Sequence, residues 1–178
     1  MTTSIYIRQE KQEDRSYVFK IIEAAFKNME YTDHQEQFLV ERLRKSQAFI
    51  PELSLVAVLE ETVVGYILLS KIKIKNAITE YNSLAVAPVA VLPEYQNRGI
   101  GGLLLKAAHE RAKELGFKSA VLLGHAVYYP KFGYKQASTF NIKLPFEVPL
   151  ENCMAIELVE NGLRGVTGTV QYPAEFFG

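Results

Sequence analysis

Gln96-Asn97-Arg98-Gly99-Ile100-Gly101-Gly102 joins an extended apolar segment, Ser83 to Pro93, to a helical one, Leu103 to Leu115. The first amides of a helix have no acceptor within it, and glycines let a ligand approach the backbone without a side chain in the way. Exposed N–H groups and the positive end of the helix dipole both favour an anion there. The stretch therefore points to a ligand that carries a diphosphate.

Outward from this run, the chain reads as alternating elements. Ser4 to Arg8 alternates as a short strand, and Asp14 precedes Val18, Ile21, Ile22, Ala25 and Phe26 at helical spacing. His34 to Lys45 is a second helix, with Phe38, Leu39 and Leu43 as its narrow apolar face. Leu53 to Leu59 and Val63 to Lys73 are rich in strand formers around Glu60-Glu61-Thr62, which predicts a hairpin with Gly65 as a weak point or bulge. Thr79 to Val91 is a long extended stretch that Pro88 must interrupt, so an irregularity is expected near residues 85 to 89.

The helix after the glycine run stops at Gly116, and Ser119 to Leu123 follows as a buried strand. Strand, glycine turn, helix and strand make a right-handed parallel crossover, with the ligand at the carboxyl ends of the strands. Ala126 to Phe132 forms a short helix only if Pro130 sits in its opening turn or bends it. Thr139 to Leu144 and Cys153 to Val159 return to strand character, and Gly162 to Gly168 is turn-rich. With no repeat or low-complexity linker, residues 1–178 read as a single domain in which 138–178 supply the last strands and the tail.

Composition narrows the function classes. The chain has 178 residues, 48% of them apolar, enough for one substantial core. Lys plus Arg equals Asp plus Glu at 20 each, so no overall field favours nucleic acid or an anionic membrane. Cys153 is alone and histidines number three, which argues against a disulfide and against a soft-metal site. The amino terminus, Met1 to Arg8, lacks a basic region followed by an apolar stretch, and no segment reaches the ~20 apolar residues of a spanning helix. The expected setting is the reducing cytoplasm. Exposed strand edges leave a homodimer open.

Three phosphate-binding loops compete. A nucleoside triphosphatase loop needs Lys and then Ser or Thr after its glycines, where this chain has Leu103 and Leu104. A dinucleotide fold wants an acidic ribose ligand about twenty residues on, and Lys118 to Ala120 offers none.

The third pattern is an acyl-coenzyme A loop. Val91-Leu92-Pro93-Glu94-Tyr95-Gln96-Asn97-Arg98-Gly99-Ile100-Gly101 resembles the strand-end and loop signature of the GNAT acetyltransferase superfamily. Gly124-His125-Ala126-Val127-Tyr128-Tyr129-Pro130-Lys131-Phe132-Gly133-Tyr134 is similar to that family's short helix ending in aromatic, glycine, aromatic. The Tyr128-Tyr129 pair, Met154 to Leu158 and Val170 to Pro173 resemble more narrowly its YhbS-like branch. The resemblance implies an α/β fold, a mixed and centrally splayed β-sheet flanked by helices. It also implies acetyl-CoA as cofactor and an amine-bearing acceptor. Val91, Gln96, Asn97, Arg98, Gly99, Ile100, Gly101 and Gly102 would then hold the cofactor's diphosphate end, with Tyr129 contacting its sulfur.

Direct acetyl transfer to an amine needs a neutral nucleophile, a polarised carbonyl and help for the departing thiolate, and no covalent residue. Val89, after the irregularity at Pro88, is the backbone N–H candidate for the carbonyl oxygen. Tyr129 matches the family's general acid, and Tyr128 takes that part if the short helix begins one residue differently. With reference values of about 10 for a phenol and 8.5 for a thiol, donation is modestly uphill. His125, just past the strand end, is a candidate for proton transfer or acceptor contact, with a structural hydrogen bond as the plain alternative. Glu30, His34, Glu36 and Glu80 are the candidate bases. Cys153 reads as core. The alternative to an N-acetyltransferase is a noncatalytic CoA-binding regulator or sensor.

Overall fold

The computed structural model describes residues 4–178; Met1 to Thr3, part of the amino-terminal segment read above, lie outside the described residues. The chain runs β1 (Ile5–Gln9), α1 (Arg15–Phe26), α2 (Glu36–Arg44), β2 (Ser54–Leu59), β3 (Thr62–Lys75), β4 (Glu80–Val91), α3 (Ile100–Glu114) and β5 (Ser119–Leu123). It ends with β6 (Lys135–Gln136), β7 (Ile142–Lys143), β8 (Cys153–Glu157) and β9 (Gly168–Gln171), joined by short 3-10 turns. The sheet order is β1-β2-β3-β4-β5-β8-β6, and β9 pairs with both β3 and β7.

Nearly every residue of β2 is buried because both faces of the sheet are covered. On one face Leu55, Ala57, Ile67, Leu69, Leu84 and Leu122 pack under Ile100, Leu104, Leu105, Ala108 and Ala112 of α3. On the other, Val56, Val58, Tyr66, Leu68 and Ala90 pack under Val18, Ile21 and Ile22 of α1 and Val40 and Leu43 of α2. The rest of that second face, with Ala85, Val121 and Ala155, is covered by Ile142, Leu144, Leu163 and Val170 from the carboxyl-terminal segment. Arg42 Nε donates to the Glu175 carbonyl at 3.0 Å, which ties α2 to the tail.

Several sequence expectations shift. The buried face of α2 is Gln37, Val40 and Leu43, whereas Phe38 is 40% exposed and meets Phe19 edge-on at 5.3 Å. Of the strand expected over Thr139 to Leu144, only Ile142–Lys143 forms, because Ala137–Phe140 winds into a 3-10 turn that ends at Asn141 with φ of 57°. The strand β9 was not anticipated. Its four residues are too few to show alternation, and it forms by pairing Thr169 to Gln171 with Lys75 to Lys73.

The hairpin and both irregularities occur where the sequence places them. Glu60 and Glu61 form a two-residue turn, both with positive φ. The β2–β3 register slips between Ala57/Gly65 and Val58/Val63. On β4, Leu69 opposes Val86 and Ile67 opposes Val89, so Ala87 and Pro88 together stand opposite Leu68. This is a bulge, and it bends β4 where a proline removes a ladder donor.

Candidate functional site

Helix α3 begins after a loop built to leave its amides free. Gly99 takes φ of +80°, a left-handed conformation that glycine adopts without strain, and Asn97 has φ of 62°. The first helical bond runs from Leu103 N–H to Gly99 O at 3.1 Å. Among the described residues, the N–H groups from Asn97 to Gly102 find no acceptor. No acidic side chain sits in the first turn to compensate the helix dipole. Gln96 Nε2 donates to Val91 O at 3.0 Å and so pins the loop to the end of β4. The Arg98 guanidinium lies over the Tyr95 ring, 5.3 Å from its centroid. The residues present fit an anionic, diphosphate-bearing group.

The second feature is a gap in the sheet. β4 and β5 are parallel but pair only at Leu84/Ala120 and Ala85/Val121. β4 stays with β3 as far as Val91, while β5 stays with β8 as far as Leu123, so the two central strands part beyond Ala85. Backbone groups of a strand point alternately to its two neighbours. Part of the Val86 to Val91 backbone therefore faces the opening instead of a sheet partner. Val89 lies on this stretch, immediately after the bulge.

Across the gap, β5 ends at Leu123 and the chain turns at Gly124, held by Gly124 N–H to Asn152 O and Asn152 Nδ2 to Gly124 O, both 2.9 Å. The 3-10 turn Tyr129–Phe132 follows, with Pro130 in its opening turn as its missing donor requires. The structure separates the two tyrosines. The Tyr128 hydroxyl stands against Gly101 on α3, while the Tyr129 ring packs on Gly124 so closely that a Cβ there would meet it at 2.4 Å. Among the described residues neither hydroxyl has a hydrogen-bond partner. Burial, and then the neighbouring Tyr128, push the Tyr129 phenol up to about 12.

The other candidates scatter. His125 is exposed in the loop between Gly124 and the turn. His34 lines a cleft of ≈ 490 Å³ between α1 and α2, together with Glu23, Lys27 and Gln37. Glu80 sits at the start of β4, nine residues or about 30 Å of strand from Val89. Its carboxylate is 3.8 Å from Lys73 Nζ, at the opposite end of β4 from the bulge. Cys153 is buried at the start of β8, and burial raises its thiol pKa, as suits a core residue.

Sequence reasoning missed His109. It is buried on α3 with Nε2 2.8 Å from Tyr134 Oη, and Tyr134 in turn meets Tyr129 with ring centroids 5.8 Å apart. The signal was available, since His109 lies four residues after Leu105 and three before Ala112 on the buried stripe.

Among the described residues, no helix is long and apolar enough to cross a membrane, and no group of three His, Cys, Asp or Glu side chains is placed to hold a metal ion.

The splayed parallel strands and the open helix start define an α/β fold with a place for a diphosphate-bearing ligand. The sequence model of the acetyltransferase (GNAT) family matches residues 18–134, and the chain belongs to that family. It is similar to YjhQ of Escherichia coli strain K12, an uncharacterized N-acetyltransferase, at 34% identity over 119 residues, 66% of this chain and 66% of that one. It is 27% identical over 125 residues to YhbS of the same strain, also an uncharacterized N-acetyltransferase, covering 70% of this chain and 74% of the relative. The crystal structure of YhbS from E. coli in complex with CoA superposes with a TM-score of 0.86 at 25% identity, covering 100% of this chain and 94% of that one. A GNAT acetyltransferase from Brucella melitensis in complex with acetyl-CoA gives 0.78 at 29% identity, covering 98% and 99%.

Proposed function

We propose that this chain is an N-acetyltransferase that passes the acetyl group of acetyl-CoA directly to a primary amine of a small molecule or a protein. The observation that carries the reading is the run of unpartnered N–H groups from Asn97 to Gly102 beside the opening between β4 and β5, with Tyr129 across it. YhbS and the Brucella protein, whose structures hold CoA and acetyl-CoA, share this fold over nearly the whole chain. The placement of β8 and β9 in the same sheet supports treating residues 1–178 as one acetyltransferase unit.

Bound acetyl-CoA supplies a thioester already activated for attack by an amine. The amides of Asn97 to Gly102 hold its diphosphate, and the open backbone of β4 up to Val91 lines its arm. The N–H of Val89 polarises the acetyl carbonyl from the stretch of β4 that lies beside the opening. Tyr129 donates a hydrogen bond toward the sulfur. With its phenol near 12 against about 8.5 for a thiol, complete proton transfer is uphill by about 5 kcal/mol, so its contribution is hydrogen bonding to the developing thiolate. Tyr128, standing over the first turn of α3, belongs to the diphosphate end. His125, exposed beside the opening, contacts the acceptor.

An acetyl-transfer screen over amines and peptides, read by mass, tests this. Acceptors gaining an acetyl group with matching release of free CoA support it. Saturable acetyl-CoA binding without transfer to any amine favours a noncatalytic CoA-binding regulator instead.

A further inference from the structure

His109 and Tyr134 form a buried polar pair in an otherwise apolar layer. They are 7% and 2% exposed, and His109 is flanked on α3 by Leu105, Ala108 and Ala112. Leucine and phenylalanine would fill much the same space without burying two polar groups. Exchanging both partners of a buried hydrogen bond for apolar groups is close to neutral for stability, so the pair adds little to stability by itself. What the 2.8 Å bond adds is direction, because it fixes the long axis of the Tyr134 ring. That ring meets Tyr129 at an interplanar angle of 76°. Tyr128, at 82° and 5.1 Å, and the bare Cα of Gly124 confine Tyr129 on its other sides.

We propose that His109 is a positioning residue for Tyr129: by holding Tyr134 through its hydroxyl, it fixes the ring on which Tyr129 packs and ties that phenol to helix α3. The same helix carries the open amides at its first turn, so one rigid element registers both ends of the bound thioester. The inference rests on the reading of Tyr129 as the sulfur-facing donor.

The test uses the full chain as His109→Leu, His109→Gln, Tyr134→Phe and Tyr129→Phe, with folding checked by circular dichroism. His109→Leu lowers kcat about 10-fold while the KM for acetyl-CoA stays within about two-fold, since a small misplacement costs turnover more than binding. Gln at this position keeps a partner for Tyr134 and restores most of the loss. In a Tyr129→Phe background, His109→Leu has no further effect on kcat, as expected of residues acting through one another. A readout without acceptor is the Tyr129 ring carbon resonances in labelled protein, assigned by their loss in Tyr129→Phe. They shift or broaden in His109→Leu and Tyr134→Phe and return in His109→Gln. Unchanged resonances in folded His109→Leu overturn the proposal, as does unchanged kcat when Tyr129→Phe is impaired. A fully active Tyr129→Phe protein sinks the sulfur-facing role itself, recognisable because the resonances still respond to His109.

Discussion

The Tyr128 hydroxyl lies 2.9 Å from the point that a Cβ on Gly101 would occupy, and the next nearest atom of that side chain is 4.0 Å away. A methyl group at position 101 thus collides with one oxygen. Gly101→Ala gains up to about 1 kcal/mol of helix propensity. Against that, the unbonded Tyr128 phenol must shift to clear the new methyl group. The expected gain in stability is therefore smaller in the wild-type background than in a Tyr128→Phe background. Urea unfolding of the four proteins of this cycle measures the difference; equal effects in both backgrounds would mean that the contact carries no energy.

Tyr129→Phe is expected to lower kcat by about 10- to 1,000-fold, with the dissociation constant for CoA unchanged. A phenol pushed up to about 12 stays protonated throughout the range from pH 6 to 10, so the substitution lowers the whole kcat profile without altering its shape. Loss of an alkaline limb on substitution would contradict this. Gly124→Ala should mimic the loss from the other side, because its Cβ would drive into the Tyr129 ring at 2.4 Å.

The elements with strong local patterns were legible in the sequence. The strand Ser119–Leu123 has the bounds its apolar run gives, and α3 starts and stops at its glycines. The bulge at Ala87–Pro88 follows from proline's missing donor. What stayed hidden depends on partners distant in sequence. β9 exists because Lys73 to Lys75 has a free edge to pair with. Phe38 falls on the apolar face drawn through Leu39 and Leu43, yet Val40 takes the buried place because the sheet lies on that side of α2. The free loop amides could be read from glycine spacing, whereas the separate placements of Tyr128 against Gly101 and Tyr129 against Gly124 are visible only in the fold. His109 was invisible as a partner because Tyr134 is 25 residues away in sequence.

Glu60 and Glu61 both adopt left-handed backbone, with φ of 47° and 63°, in a two-residue turn that asparagine and glycine fill with less strain. A non-glycine residue pays about 1 to 2 kcal/mol in that region. Glu60→Asn with Glu61→Gly should therefore raise stability by roughly 1 kcal/mol or more, seen as a higher urea midpoint at constant slope. A lower midpoint would place the turn's stability in the glutamate side chains.

His109 makes stability depend on acidity in a defined window. Burial, and then the charge of Lys113, lower its pKa from 6.5 to about 4, with Glu110 opposing. The unfolded chain thus takes up a proton at a pH where the folded chain does not. Stability is full above about 6.5 and falls as the pH drops toward 4, by about 3 kcal/mol in all. Asp14 acts lower down: Arg8, bound to it at 2.6 Å and 3.0 Å, holds its carboxylate below the usual range, so its contribution fades only below about pH 4. His109→Gln carries no charge in either state and should remove the loss between pH 6.5 and 4.5 while leaving the more acidic limb in place. Urea unfolding at pH 7 and pH 4.5 for both proteins measures it, and equal acid sensitivity in the two would show that His109 is not the group that titrates.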